Sequence, residues 1–153
     1  MYPKSVFLTI CLIVLLLSGC SQKSVKEEFN KPDIFWYKQM VDNIKAFDLE
    51  AADDTFVSLQ SEHIYSPLLP EAMLILARAH MKAEEYLLAE FYYDEFIKRF
   101  GDEDNIDFVK HMKIKSNFFS FRLKNRDQKL LHRTIEDAEK FIKEHPYSKY
   151  RPI

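Results

Sequence analysis

The five histidines are the side chains in this chain most able to hold a metal ion or a proton, and two have an acidic residue one helical turn away. His80 precedes Glu84 by four positions and His132 precedes Glu136 by four, so each pair would share one face of a helix. No third ligand has a supporting spacing, and no nucleophile elbow accompanies the serines. We therefore interpret both pairs as solvated and expect no metal site, no catalytic residue and no cofactor; an enzyme is the least favoured alternative.

The cysteine whose surroundings indicate chemistry is Cys20. It ends a Leu-Ser-Gly-Cys sequence, which follows one early charge, Lys4, and an apolar run over residues 6–17. A helix needs roughly 20 apolar residues to cross a bilayer, so this run is too short and is typical of a signal peptide. The Leu-Ser-Gly-Cys end resembles the lipobox of bacterial lipoproteins. That resemblance implies cleavage before Cys20 and covalent lipid on it; an ordinary secretory signal is the alternative.

These features divide the chain into three parts. Residues 1–19 are predicted to be a lipoprotein signal peptide, and residues 20–32 a lipidated cysteine with a polar, flexible tether. Residues 33–150 are predicted to form a folded domain. Position 21 is serine, not the aspartate that resembles an inner-membrane retention signal, so we expect attachment to the outer membrane with the domain facing the periplasm.

The composition of the chain predicts an all-α fold. Hydrophobic residues make up 47% of its 153 positions and charged residues 30%, which is typical of a globular protein. The two glycines are Gly19 and Gly101, which nearly excludes a glycine-rich phosphate loop or a tight hairpin. Apolar spacing and proline positions predict three helix pairs. Their helices are expected at 33–46 and 49–62, at 68–82 and 85–99, and at 104–122 and 129–145.

The second helix pair carries a repeat signature. Large residues at Leu76, Tyr86 and Tyr93 alternate with small ones at Ala77 and Ala89, as two closely crossing helices require. This spacing resembles the tetratricopeptide (TPR) repeat, and a shift of 37 positions places a weaker copy on the first pair. The resemblance implies a TPR-like solenoid of about three helix pairs; a generic helical bundle is the alternative.

Three local segments narrow the resemblance further. Residues 96–99 read Phe-Ile-Lys-Arg, residues 105–109 read Asn-Ile-Asp-Phe-Val, and residues 145–150 read His-Pro-Tyr-Ser-Lys-Tyr. With the lipobox and the repeats, they resemble the BamD family of outer-membrane β-barrel assembly lipoproteins. Family members continue with further repeats beyond this point, so the chain has the pattern of a truncated or short relative. We therefore expect an exposed apolar end face, formed by Ile135, Phe141 and Ile142.

The resemblance implies a binding function without catalysis. In TPR arrays the first helix of each pair lines a concave groove that holds peptide segments. The partners implied are the central barrel-assembly protein and unfolded outer-membrane proteins, with the membrane held through the lipid and no nucleic acid involved. Another TPR lipoprotein of the cell envelope, such as a secretion pilot or a division factor, is the alternative. The predicted groove residues are Tyr37, Val41, Ile44, Lys45, Leu74, Arg78, Met81, Lys82, His111, Lys115 and Phe118.

Charge is unevenly distributed along the chain. Residues 42–107 hold 16 acidic and 5 basic residues, whereas residues 108–133 hold 8 basic and 1 acidic. This contrast indicates a basic docking surface for an acidic partner or anionic head groups, with an ordinary solvated face as the alternative. Besides Lys115, its residues are Lys110, Lys113, Arg122, Lys124, Arg126, Lys129 and Arg133.

Overall fold

The described part of the chain folds as an array of six α-helices. We analysed a computed structural model, which describes residues 30–102, 104, 106–123 and 128–151, the last two positions of 106–123 by their backbone alone. The predicted signal peptide and most of the predicted tether lie outside these residues. No strand occurs within the described ranges. In chain order the helices are α1 Asp33–Lys45, α2 Leu49–Glu62, α3 Leu69–Lys82, α4 Tyr86–Arg99, α5 Ile106–Leu123 and α6 Gln128–Glu144.

The helices pack as three sequential pairs, which confirms the predicted all-α repeat. Within each pair the two helices pack along each other, and α3 also contacts α1 and α2 while α4 packs along α5. The predicted helix bounds agree with the observed ones to within two residues. Local chemistry explains these ends: Asp48 caps α2 by accepting a hydrogen bond from the Ala51 amide at 3.1 Å, and α3 has proline in its first turn.

The turns inside the first two pairs repeat the same backbone geometry 37 positions apart. Phe47 and Glu84 both have left-handed φ angles, 61° and 63°. The amide after each donates to a carbonyl five residues back: Asp48 to Asn43 at 3.0 Å, and Glu85 to His80 at 2.9 Å. These bonds use carbonyls that the helix ends leave free. The turns therefore follow the period that the sequence indicates for the helices.

We expect Glu84→Gly to raise the free energy of unfolding by about 0.5–1 kcal/mol, because glycine adopts left-handed φ without the strain that a side chain adds. Urea denaturation would measure the change. Ala83 is the matched control, since its φ of −80° is ordinary for any residue. Ala83→Gly should lower stability by a similar amount through lost backbone entropy. A loss of stability in both variants would contradict the prediction.

The core runs along the interior of the array and contains the predicted small positions. Ala52, Ala77 and Ala89 are fully buried, with Leu76 and Tyr93 beside them. Met40 occupies the corresponding small position of the first pair and is also fully buried. The unbranched methionine side chain fits there because it adapts to irregular space.

The expectation of an exposed end face was correct for two residues and wrong for the third. Ile135 and Ile142 of α6 are 47% and 39% exposed, but Phe141 is only 2% exposed. The Phe141 ring packs against the imidazole of His145, with 5.1 Å between centroids, and lines a small cavity with Ile97. The side of α6 that carries Phe141 thus faces α4 and α5, and the isoleucines face outward.

Candidate functional site

The first helices of the three pairs, α1, α3 and α5, lie side by side and position the predicted groove residues. Helix α1 contacts α3. Between α3 and α5, the Arg78 guanidinium lies over the Phe108 ring at 5.0 Å, and the Ser116 hydroxyl donates to the Met81 sulfur at 3.3 Å. The structure therefore places the predicted residues on adjacent helices.

In the first pair, most groove residues are partly buried against the core. Tyr37, Val41 and Ile44 are half-buried, so each offers part of its side chain to a ligand. Burial, together with a hydrogen bond to Glu71 of α3, raises the pKa of the Tyr37 hydroxyl. Lys45 projects into solvent and pairs with Asp42 at 3.0 Å. This part of the groove is apolar with one cation at its end.

The second pair contributes both buried and open positions. Leu74 is only 7% exposed and belongs to the core, so it presents little surface to a ligand. Met81 is partly buried, whereas Arg78 and Lys82 are exposed. The groove face of α3 is therefore mainly cationic.

In the third pair, the predicted groove residues divide by environment. The His111 ring packs against Tyr150 at 5.5 Å, and burial lowers its pKa, so the imidazole is held neutral. Its Nδ1 atom is buried and has no hydrogen-bond partner among the described residues. Lys115 lies near the Phe119 ring at 5.9 Å, and Phe118 is 44% exposed. Phe118 is the open aromatic residue of this part of the groove.

An open cleft of about 890 Å³ lies where α1, α2 and α3 meet, and it contains three of the predicted groove residues, Ile44, Lys45 and Lys82. Its rim includes Phe47, which is 86% exposed despite being aromatic and in a left-handed conformation. No spacing signal in the sequence indicates that Phe47 belongs to the site, because it lies in a turn outside the apolar pattern of the helices. The other lining residues are Asp48, Leu49, Glu50, Ala79, Ala83 and Glu85.

Lys113 and Lys110, which belong to the predicted basic docking surface, form ion pairs within the chain. The Lys113 ammonium lies 2.8 Å from Asp94 of α4 and 3.5 Å from Asp137 of α6. The Lys110 ammonium lies 3.2 Å from Glu144. Lys129 and Arg133 are exposed on α6. Lys124, Arg126 and the side chain of Arg122 lie outside the described part of the chain.

We expect Lys113→Met to lower the free energy of unfolding by about 2 kcal/mol, because it removes the partly buried cation that Asp94 and Asp137 share and leaves Asp94 with the exposed Lys98. Lys98→Met is the matched control. Lys98 also pairs with two acids, Asp94 at 2.8 Å and Glu95 at 2.9 Å, but its side chain is 60% exposed. Water screens the ion pairs of Lys98, so Lys98→Met should lose far less stability than Lys113→Met. Equal losses in urea denaturation would refute the difference.

The interpretation of His80 as one half of a solvated pair with Glu84 is wrong. His80 is fully buried, and its ring nitrogens lie 2.9 Å from Asp53 Oδ1 and 2.6 Å from Glu85 Oε2. Glu84 is in the left-handed turn, so the next residue, Glu85, reaches the ring instead. Asp53 also accepts a hydrogen bond from the Tyr92 hydroxyl at 2.6 Å. We call His80, Asp53, Glu85 and Tyr92 the histidine cluster.

The histidine cluster has the geometry of an ion pair and not of a metal centre. Both ring nitrogens point at carboxylates, so both act as donors and the imidazole carries a positive charge. The described ranges contain no group of three or more residues arranged to hold a metal ion. His132 is exposed and its ring contacts the Gln128 carbonyl at 2.7 Å, so the predicted pairing with Glu136 is also not observed.

Comparisons with known proteins place the chain among envelope proteins. A family model described as "YfiO: Outer membrane lipoprotein" matches residues 30–152. The chain is 46% identical over 151 residues to a protein named outer membrane protein assembly factor BamD from Helicobacter pylori (strain ATCC 700392 / 26695). That match covers 99% of this chain and 69% of the relative. Within the described ranges, no helix combines the length and apolarity needed to cross a bilayer.

Proposed function

We propose a role in outer-membrane protein assembly, because this chain belongs to the BamD (YfiO) family of outer membrane lipoproteins. The observation that carries the proposal is the 46% identity, sustained over 99% of the chain, to a protein named as an assembly factor. A match of that length includes the helices that form the groove, and not only an export signal. The proposed activity is binding without catalysis or a cofactor.

The proposed location is the outer membrane, with Cys20 carrying the lipid and the helical domain facing the periplasm. The lipobox sequence ending at Cys20 supports the anchor. Each buried CH₂ of an acyl chain contributes about 0.8 kcal/mol to membrane binding, so several chains on one cysteine would hold the protein there stably. The helical domain then presents a binding surface on the periplasmic side of the bilayer.

The proposed binding surface is the groove along α1, α3 and α5 together with the cleft beside it. Ile44 lines the cleft with the exposed cations Lys45 and Lys82, and the groove helices also carry the exposed Arg78 on α3 and the exposed Phe118 on α5. Such a surface fits a segment that combines aromatic residues with a carboxylate, as the C-terminal segment of an unfolded outer-membrane protein does. The central barrel-assembly protein is the proposed permanent partner.

Site-specific photocrosslinking in cells tests where partners bind. A benzoylphenylalanine residue placed at Phe47 or Phe118 should crosslink to unfolded outer-membrane proteins. The matched control is Leu88, which is also 44% exposed but lies on α4, outside the groove helices. Equal crosslinking from Leu88 would contradict the assignment of the groove and leave the assembly role in place.

Depletion of the chain tests the assembly role itself. The levels of folded outer-membrane barrel proteins should fall, and an affinity pull-down from detergent-solubilised membranes should recover the central barrel-assembly protein. Unchanged barrel levels, with secretion or cell-wall proteins in the eluate instead, would replace the proposal with another TPR lipoprotein function.

A further inference from the structure

One edge of the helical array gathers several linkers of the chain. The helices alternate in direction along the array. The same edge therefore contains the start of α1, the linker after α2, the turn after α4 and the segment after α6. Hydrogen bonds tie the start of α1 to the linker after α2: the His63 ring contacts the Lys31 carbonyl at 2.6 Å. The opposite edge carries the turn with Phe47.

Two linkers at this edge share a His-x-Tyr-Ser sequence and the same anchoring bonds. The Ser66 hydroxyl donates to Asp33 at 2.6 Å, and the Ser148 hydroxyl donates to Asp107 at 2.7 Å. Each serine oxygen also accepts the amide two residues later, at 3.1 Å in both cases. Both linkers are therefore fixed to the helix that begins the preceding pair.

Each fixed linker presents a tyrosine that contributes almost nothing to the core. Tyr65 is 95% exposed and Tyr147 is 99% exposed. Ile64 stands beside Tyr65 with 56% of its surface exposed, and Ile34 at the start of α1 is 43% exposed. Tyrosine is enriched at membrane–water interfaces, where its ring contacts apolar material and its hydroxyl remains hydrated. We call the surface formed by these four residues the tyrosine edge.

The length of the tether holds the tyrosine edge near the anchor. Asn30, the first described residue, follows Cys20 by ten positions and leads directly into α1. Ten residues span at most roughly 35 Å when fully extended. Along the chain, the edge at which α1 begins is thus the part of the domain nearest to the point of lipid attachment.

The charges around the tyrosine edge are of both signs. Lys31, Lys149 and Arg151 bring positive charge, and exposed Asp102 and Asp104 in the turn after α4 bring negative charge. Such a mixture matches zwitterionic phospholipid head groups, which carry both charges. A strongly anionic surface would attract the cations but repel the aspartates.

We propose that the tyrosine edge rests in the phospholipid head-group layer of the membrane that holds the lipid anchor, with Tyr65 and Tyr147 as its contacts. This inference rests on the anchoring part of the proposed function, because the tether from Cys20 brings the edge to the bilayer. It fixes the orientation of the domain: the helix axes run away from the membrane and the Phe47 turn lies on the far side.

Spin labelling of the lipidated chain tests the orientation. The chain is purified from membranes and reconstituted into phosphatidylcholine vesicles with a single cysteine introduced by Ile64→Cys or Lys149→Cys, which leaves both tyrosines in place. Cysteines occur naturally only at Cys11, in the signal peptide, and at Cys20, so the new thiol is the only free one in the mature acylated chain. The matched control is Phe47→Cys at the opposite edge, where the native side chain is 86% exposed.

Labels at positions 64 and 149 should collide several-fold more often with lipid-dissolved oxygen, relative to a water-soluble nickel complex, than the label at position 47. Adding Tyr65→Ser and Tyr147→Ser should remove that difference, and adding anionic lipid should not increase it. The orientation alone would be overturned if the chain floats with the vesicles but the labels at 64 and 149 are as accessible to nickel as the label at 47. An intact mass without acyl chains would overturn the anchor and this proposal together.

Discussion

The substitution His80→Ala is expected to lower the free energy of unfolding by about 3 kcal/mol. It removes a fully buried ring and leaves a cavity, and it takes away the shared donor of Asp53 and Glu85. Tyr92 would also lose the ring on which it stacks, 5.4 Å away. Urea denaturation at pH 6 would measure the loss.

The matched control is His132→Ala. His132 is exposed and contacts a backbone carbonyl of its own helix, so its removal leaves no cavity and no unpaired carboxylate. The control should change the free energy of unfolding little. Similar losses in the free energy of unfolding for the two substitutions would show that the contacts of the histidine cluster do not stabilise the fold.

The stability that His80 contributes should also depend on pH. Burial of the ring would by itself lower its pKa, but the hydrogen bonds and charges of Asp53 and Glu85 outweigh it and raise the pKa of His80 above its ordinary value. The folded state therefore binds the proton more tightly than the unfolded state. This contribution is fully present below about pH 6.5 and is lost as the pH rises through the raised pKa.

Denaturation curves measured from about pH 6 to about pH 9 should therefore show a falling stability in the wild-type chain. The decline should be weaker in His80→Ala, because the variant has no proton to lose at this site. A decline of equal size in both chains would assign the pH dependence to other groups.

The substitution Cys20→Ser is expected to abolish the binding of the chain itself to a lipid bilayer. Serine has no thiol to acylate, so a variant exported with an ordinary secretory signal peptide would carry no acyl chains. The purified variant should stay in solution when it is mixed with phospholipid vesicles, whereas the purified native protein should float with them. Intact mass measurement would verify the presence or absence of lipid in each.

Ser21→Ala is the control for this experiment, because it alters the neighbouring residue and preserves the thiol. That variant should remain with the membrane. A purified Cys20→Ser chain that floats with the vesicles would contradict the proposed anchor. A chain that is retained in cell membranes but released from them by carbonate would instead show attachment through a protein partner.

Local spacing was sufficient to predict the helices and the repeat. The small positions Ala77 and Ala89, and the proline that opens α3, act within one or two turns of their own helix. Their effects can therefore be predicted from residues that are close in the sequence. The recurrence after 37 residues then extended the prediction to the first pair. The end of α6 followed in the same way from Pro146.

Contacts between distant residues could not be predicted in this way. Asp53 lies 27 positions before His80, and no spacing rule joins them. The predicted partner, Glu84, does not pair with His80 because its backbone has a left-handed φ. Phe141 was misplaced because an apolar stripe does not show which of its members meets a neighbouring helix. Lys113 belongs to a basic segment in sequence, yet its partners come from α4 and α6.

The histidine cluster also affects how the repeats of the helical array unfold locally. Asp53 belongs to the first pair, and His80, Glu85 and Tyr92 belong to the second, so one set of polar contacts joins two neighbouring repeats. In repeat proteins, the strength of each junction decides whether adjacent units open independently. The amide hydrogens of α2 and α3 should therefore exchange with solvent through one common opening event, and disruption of the cluster should separate that event into two.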